Sequence, residues 1–214
     1  MRLKVRLSLY RRSGHYVFSG SAVQKCGGCD LYRNTTQAVF GELETGTKST
    51  KPKVAIMMIG EQPGDHEDKE GRPFVGPAGK LLDKCLEEAE IDRLKVYVTN
   101  TVKHFKWEPR GKLRIHKKPN MKEIHACRPW FEAELETVRP KLIVCLGAVA
   151  AQSLLGSSFK ITQDHGKLQK AGFPPIIATL HPSAILRTRT EEDRHSQMKT
   201  FVQDLREAAK FAGR

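Results

Sequence analysis

Four short apolar runs decide what this chain can become. Val54 to Ile59, Val96 to Val98, Leu142 to Leu146 and Ile176 to Leu180 carry no alternating polar residue, so each reads as a strand buried on both faces. Strands of that kind belong to parallel sheets, whose crossover connections need helices. Helical patterns stand between them. Leu81, Leu82, Cys85, Leu86 and Ala89 share one face, and Met198, Phe201, Val202, Leu205 and Ala209 form the stripe of a last helix, opened by Thr190 with Asp193 three residues on. The expectation is an α/β fold of three layers, α/β/α, around a mainly parallel four-stranded sheet. Asn120 with Glu123 marks a further helix start, and Pro129 either kinks that helix or opens a second one. The polar, turn-rich stretch from Gly41 to Lys53 reads as a surface loop. With 214 residues and no linker, repeat or low-complexity segment, one domain over 1–214 is expected.

No stretch approaches the roughly 18–20 apolar residues that a membrane span needs, and the N-terminal segment lacks the apolar region of a secretory signal. A cytoplasmic, nucleoid-associated protein is therefore expected. The 37 Lys and Arg against 24 acids give a formal charge of +13, a field that draws polyanions. Charge alone fits a merely solvated surface equally well, so clustering has to separate the two readings. Lys103 to Lys122 supplies it, with eight Lys or Arg, one Glu, and the aromatics Phe105 and Trp107. A loop of about 20 residues in a compact domain is usually functional, and this mixture suits a groove that tracks a nucleic-acid strand.

Five cysteines in such a chain argue for metal or chemistry rather than disulfides. Cys26 and Cys29 form a CxxC pair, open among zinc, redox and cluster binding. Cys127 and Cys145 bring the number to the four thiolates that zinc or a [4Fe–4S] cluster takes. Cys145 also reads as a small apolar residue of a buried strand, and Cys85 as inert core. The residues just after each strand matter more, because ligands of open α/β sheets sit beyond the carboxyl ends of the strands. Gly60-Glu61-Gln62-Pro63-Gly64-Asp65 succeeds the first strand, Thr99-Asn100 the second and His181-Pro182-Ser183 the fourth.

Taken in order, the CxxC pair, GEQPGD, GRPFVGPAG, VTN, the later cysteines and HPS resemble the family 4 iron–sulfur uracil-DNA glycosylases, over nearly the whole chain from Cys26 onward. Lys112-Leu113-Arg114-Ile115-His116 is similar to the loop of the UdgX subgroup, in which a histidine bonds covalently to DNA. That loop usually reads Lys-Arg-Arg-Ile-His, and Leu113 stands here for the first arginine. The resemblance implies a structural [4Fe–4S] cluster on Cys26, Cys29, Cys127 and Cys145. It also implies a partner, uracil-containing DNA, single- or double-stranded, met by a monomer.

In that reading Phe74 stacks on the base, although core packing is its plainer role. The Asn100 amide offers the donor and acceptor that uracil O4 and N3–H require, where cytosine presents the reverse. His181 donates to the uracil anion developing near O2. Glu61 and Gln62 meet base and sugar, Asp65 supports the same turn, and Asp68 is a solvated acidic residue. Arg114 belongs to the DNA-contacting loop, and His116 attacks the sugar C1′ with Glu61 orienting it. Two rivals remain at this point. One is a glycosylase that turns over with water activated by Glu61 or Asp65; the other is a non-enzymatic DNA-damage-binding module, for which Glu61, Asn100 and His181 are dispensable.

Overall fold

In the computed structural model the described residues are 9–12, 15–18, 24–44, 54–170, 172 and 174–213. The elements run β1 (Leu9–Arg12), β2 (His15–Phe18), β3 (Glu42–Glu44), β4 (Ile56–Gly60), α1 (Asp65–Glu70), α2 (Pro77–Glu88), β5 (Val96–Asn100), β6 (Trp107–Arg110) and β7 (Leu113–His116). They continue with α3 (Met121–Val138), β8 (Leu142–Leu146), α4 (Ala148–Leu155), α5 (Ile161–Asp164), β9 (Leu168–Gln169), β10 (Ile176–Thr179), α6 (Pro182–Leu186) and α7 (Glu191–Ala212).

All four apolar runs become strands. β5, β4, β8 and β10 lie side by side in parallel, and every residue in them is buried. Antiparallel strands extend this core, with β3, β2 and β1 beyond β5 and β9 beyond β10, so the sheet among the described residues has eight strands rather than four. Part of the expected loop from Gly41 to Lys53 is thus a strand: Leu43 is wholly buried against the sheet. Positions 45–53 of that stretch lie outside the described residues.

Helices cover both faces and give the three layers. Leu82, Leu86, Phe201 and Leu205 of α2 and α7 pack on one face, while Phe131, Ala150 and Ala151 of α3 and α4 pack on the other. Helix α3 is continuous through Pro129, which lies on its exposed side. Its start is the expected capping box, with Asn120 Oδ1 accepting from Glu123 N at 2.9 Å and Glu123 Oε2 accepting from Asn120 N at 2.6 Å. Among the described residues no helix is long and apolar enough to cross a membrane.

The basic segment from Lys103 to Lys122 is not the loop expected of it. β6 and β7 pair from Trp107 with His116 to Arg110 with Leu113, leaving a two-residue turn in which Gly111 takes φ +60°.

Candidate active site

Between the first and third parallel strands, β4 and β8, successive connections leave toward opposite sides of the sheet. Such a switch opens a crevice at the carboxyl ends of the strands. A cavity of about 480 Å³ occupies it, lined by Glu61, Phe74, Asn100, His116, Lys118, His181 and Arg187 among others.

The floor is shaped by two missing side chains. A Cβ on Gly60 would stand 2.4 Å from Asn100 Oδ1 and 2.8 Å from Phe74 Cζ, so only glycine lets both groups reach the pocket. A Cβ on Gly79 would fall 1.6 Å from the Phe74 carbonyl oxygen, so α2 can close on Phe74 only at a glycine. Phe74 itself is held at φ +56°, a strained conformation for a bulky residue. Glu67 stiffens the surrounding turns by accepting from Gly64 N and Gly76 N at 3.0 and 2.8 Å. The Phe74 ring faces the His181 ring, 23° from parallel with centroids 6.2 Å apart.

Asn100 ends β5 and is buried. Beneath it lies a wholly buried ammonium, Lys103 Nζ, which donates to the Asn100 carbonyl at 2.7 Å, Thr99 Oγ1 at 2.8 Å and Glu134 Oε2 at 2.6 Å. Glu134 also accepts from Gly41 N, Tyr97 Oη and Thr99 Oγ1. The ion pair is thus hydrogen-bonded all round, as a charge pair in an apolar interior must be.

His181 caps α6, and its Nδ1 accepts from Ser183 N at 3.1 Å. Since Nδ1 is an acceptor there, the neutral ring carries its hydrogen on Nε2. Burial, helped by Arg187 and His116, pushes this imidazole down to about 4, so the ring is neutral near pH 7.

On the opposite wall, His116 closes the hairpin. Its Nε2 stands 3.6 Å from Glu61 Oε1, a buried oxygen that accepts no hydrogen bond among the described residues. Burial lowers the His116 imidazole below its usual 6.5, with Arg187 adding to the effect. Burial also lifts the Glu61 carboxyl above its usual 4.5, against the opposing pull of Lys118 and Arg187.

Three residues expected at the substrate are used otherwise. Arg114 and Asp65 do not line the pocket: Arg114 points along the inner side of the hairpin, bonded to Asp65 and to Asp68, and lies over the rings of Phe105 and Trp107. Gln62 lines the pocket, yet its amide is taken up by the Lys106 backbone, donating to O at 3.0 Å and accepting from N at 3.2 Å. Asp68 is the reverse of a solvated residue. It is wholly buried, accepting from Thr36 N and Oγ1 as well as from Arg114.

The cysteines separate. Cys26 and Cys127 share one apolar cluster with Trp130, and a Cβ on Gly28 would lie 3.7 Å from Cys26 Sγ and 3.6 Å from the carbonyl of Ala126, next to Cys127. Trp130 Nε1 donates to Cys26 Sγ at 3.1 Å and Lys103 N to Cys127 Sγ at 3.2 Å. Cys145 is elsewhere, wholly buried in β8 among Met57, Ile59 and Ala178, so the expected set of four thiolates is not assembled. Among the described residues no group of three His, Cys, Asp or Glu side chains is drawn together closely enough to hold a single metal ion. Cys85 is core, as expected, its thiol pushed up to about 11 by burial.

Sequence reasoning missed Glu134 and Arg187, and took Lys103, which is wholly buried, and Lys118 only as cations of a strand-tracking segment. Lys118 lay inside the basic segment already singled out, and Arg187 only a few positions beyond the HPS triplet, so proximity to those motifs was the available signal.

Residues 47–206 match the uracil DNA glycosylase superfamily. A type-4 uracil-DNA glycosylase of Thermotoga maritima is 35% identical over 205 residues, covering 95% of this chain and 97% of the relative. Type-4 uracil-DNA glycosylases of Sulfurisphaera tokodaii and Archaeoglobus fulgidus are 37% and 34% identical, over 77% and 83% of this chain and 72% and 86% of their own lengths.

Proposed function

The chain belongs to the uracil DNA glycosylase superfamily, and from that premise we propose that it excises uracil from DNA and then bonds the deglycosylated sugar through His116. The observation that carries the reading is the pairing, across one pocket, of a neutral His181 offering Nε2–H with a neutral His116 beside a Glu61 oxygen that has no hydrogen-bond partner among the described residues.

A uracil inside a helix must leave the stack to reach such a pocket. Asn100 then reads its O4 and N3–H edge, and Phe74 stacks on its face. When the C1′–N1 bond breaks, its electron pair leaves on the uracil, and His181 Nε2–H stabilises that anion near O2. The sugar is left as a cation, and Glu61, as the carboxylate, stabilises it. A lone pair of His116 Nε2 forms the new bond to C1′, with the ring hydrogen kept on Nδ1. The alkylated ring carries the positive charge, balanced by Glu61, while the uracil anion takes its proton from water. A neutral nucleophile is needed for this step, which agrees with the lowered His116.

A [4Fe–4S] cluster, when bound, supplies a structural cross-link rather than reaction chemistry; Cys26, Cys29 and Cys127 are the residues proposed to hold it. The N–H···S donors to Cys26 and Cys127 support the assignment. Uracil-bearing and cytosine-bearing oligonucleotides test the whole reading. Free uracil, together with a band shifted on a denaturing gel, is expected from the first only. Binding without uracil release would replace this reading with a non-enzymatic module.

A further inference from the structure

Behind the His181 wall of the pocket lies a buried carboxylate that the reaction does not touch. Asp204 of α7 is 5% exposed, and burial lifts its carboxyl above the usual 3.8, with Thr179 and His165 opposing. Its Oδ2 accepts from the Thr179 hydroxyl at 2.6 Å and lies 2.9 Å from His165 Nδ1. A carboxylate can only accept, so Nδ1 carries the hydrogen and both partners donate. The backbone comes equally close: a Cβ on Gly166, where φ is +71°, would stand 2.4 Å from Asp204 Oδ1. A buried acid is costly unless donors offset its desolvation, and both donors here come from segments that run into one wall of the pocket.

Thr179 ends β10, and His181 stands two positions on. The Thr179 carbonyl accepts from Gly147 N at 2.8 Å, and a Cβ on Gly147 would stand 3.0 Å from His181 Cβ, so the turn into α4 is tied to the strand and rests against the histidine. His165 follows α5, whose Ile161 lines the pocket, and the next residue, Gly166, donates its N–H to Ala178 O at 2.9 Å. Three pocket-lining segments thus converge on the end of β10, and Asp204 holds that end to α7. We propose that Asp204 is a positioning residue for His181, fixing through Thr179 and His165 where the Nε2–H stands relative to the departing uracil. The bonds from Ser183 to His181 Nδ1 set the ring's tautomer and rotation, but both residues belong to the same short turn and move together with it. A donor that stabilises charge appearing only in the transition state loses its effect steeply with misplacement.

The inference rests on the proposed excision, and its test separates the two. Base release is followed in single turnovers at saturating protein, from single strands carrying deoxyuridine or 5-fluorodeoxyuridine. Fluorine stabilises the departing anion, so that base depends less on His181. Asp204→Ala should slow uracil release by at least about tenfold but 5-fluorouracil release by no more than about threefold, the same bias as His181→Ala. Asp204→Asn, whose amide oxygen can replace Oδ2 as the acceptor, should restore uracil release to within about twofold. Equal slowing of both bases is what general damage to the fold would give, and that result, or no slowing, would overturn the proposal. If Asp204→Ala does not fold, Thr179→Val, the same shape without the hydroxyl, is read in the same way. A nuclear magnetic resonance titration of the His181 ring does not depend on excision. In the unaltered protein the ring should titrate at about 4, and in Asp204→Ala, where a loosened wall admits water, nearer its usual 6.5. If the titration moves while no protein releases either base, the excision reading fails and the positioning stands; an unmoved titration means that Asp204 does not position His181.

Discussion

Asn100 and His116 face the same pocket but are held by opposite means. Asn100 ends a fully buried central strand and rests on a buried ammonium whose partners reach from β5 to α3. His116 ends a four-residue strand of a surface hairpin, with half its side chain exposed, and is steadied through Arg114 by two carboxylates of α1. The wall assigned to base recognition is thus part of the core. The wall assigned to bond formation is an attachment that can vary without disturbing the sheet.

The comparison is broken most directly at Lys103. Lys103→Met leaves Glu134 buried without its countercharge and should cost about 3–5 kcal/mol in urea unfolding, whereas the pair variant Lys103→Met/Glu134→Gln, which removes the charge and keeps an acceptor for the Gly41, Tyr97 and Thr99 donors, should recover part of it. A loss below about 1 kcal/mol, the level of a surface pair, would mean that the wall under Asn100 is not rigid for the reason given. Arg114→Gln attacks the other wall. Asp68 keeps its Thr36 donors, so stability should fall by only about 1–2 kcal/mol, while bond formation slows by about 10- to 100-fold through a misplaced His116. Uracil binding should persist, and parallel loss of binding and trapping would contradict the division.

Acid should separate the walls without mutation. His116 must be neutral, and its value lies below 6.5; Glu61 must be ionised, and its value lies above 4.5. Trapping should therefore be lost as pH falls between about 6.5 and 4.5, while His181, at about 4, stays neutral and base binding continues. Measured side by side, trapping and uracil binding should have different acid limbs. The smallest effect belongs to Cys145→Ala, which should keep its full iron content and lose about 1 kcal/mol of stability. Cys127→Ala should lose iron.

The contrast also explains what could be read from the sequence. Burial on both faces leaves continuous apolar runs, so β4, β5, β8 and β10 were legible, as were the residues at the ends of three of them that line the pocket, Glu61, Asn100 and His181. The hairpin was not, because its strands are short, basic and interrupted by Pro109, and its inner face packs through Arg114 rather than through aliphatic residues. Lys103 and Glu134 are 31 positions apart, and two charges so separated do not announce that they share a core. Cys145 misled because a ligand and a small core residue look alike in sequence.

The sharpest test is a peptide map of the protein after reaction with a uracil-containing oligonucleotide, denaturation, nuclease and protease digestion, and mass spectrometry. A deoxyribose adduct on the peptide bearing His116, absent from His116→Ala, is the expected result. An adduct on any other residue, or complete uracil release leaving only free, alkali-labile DNA and unmodified protein, would contradict it.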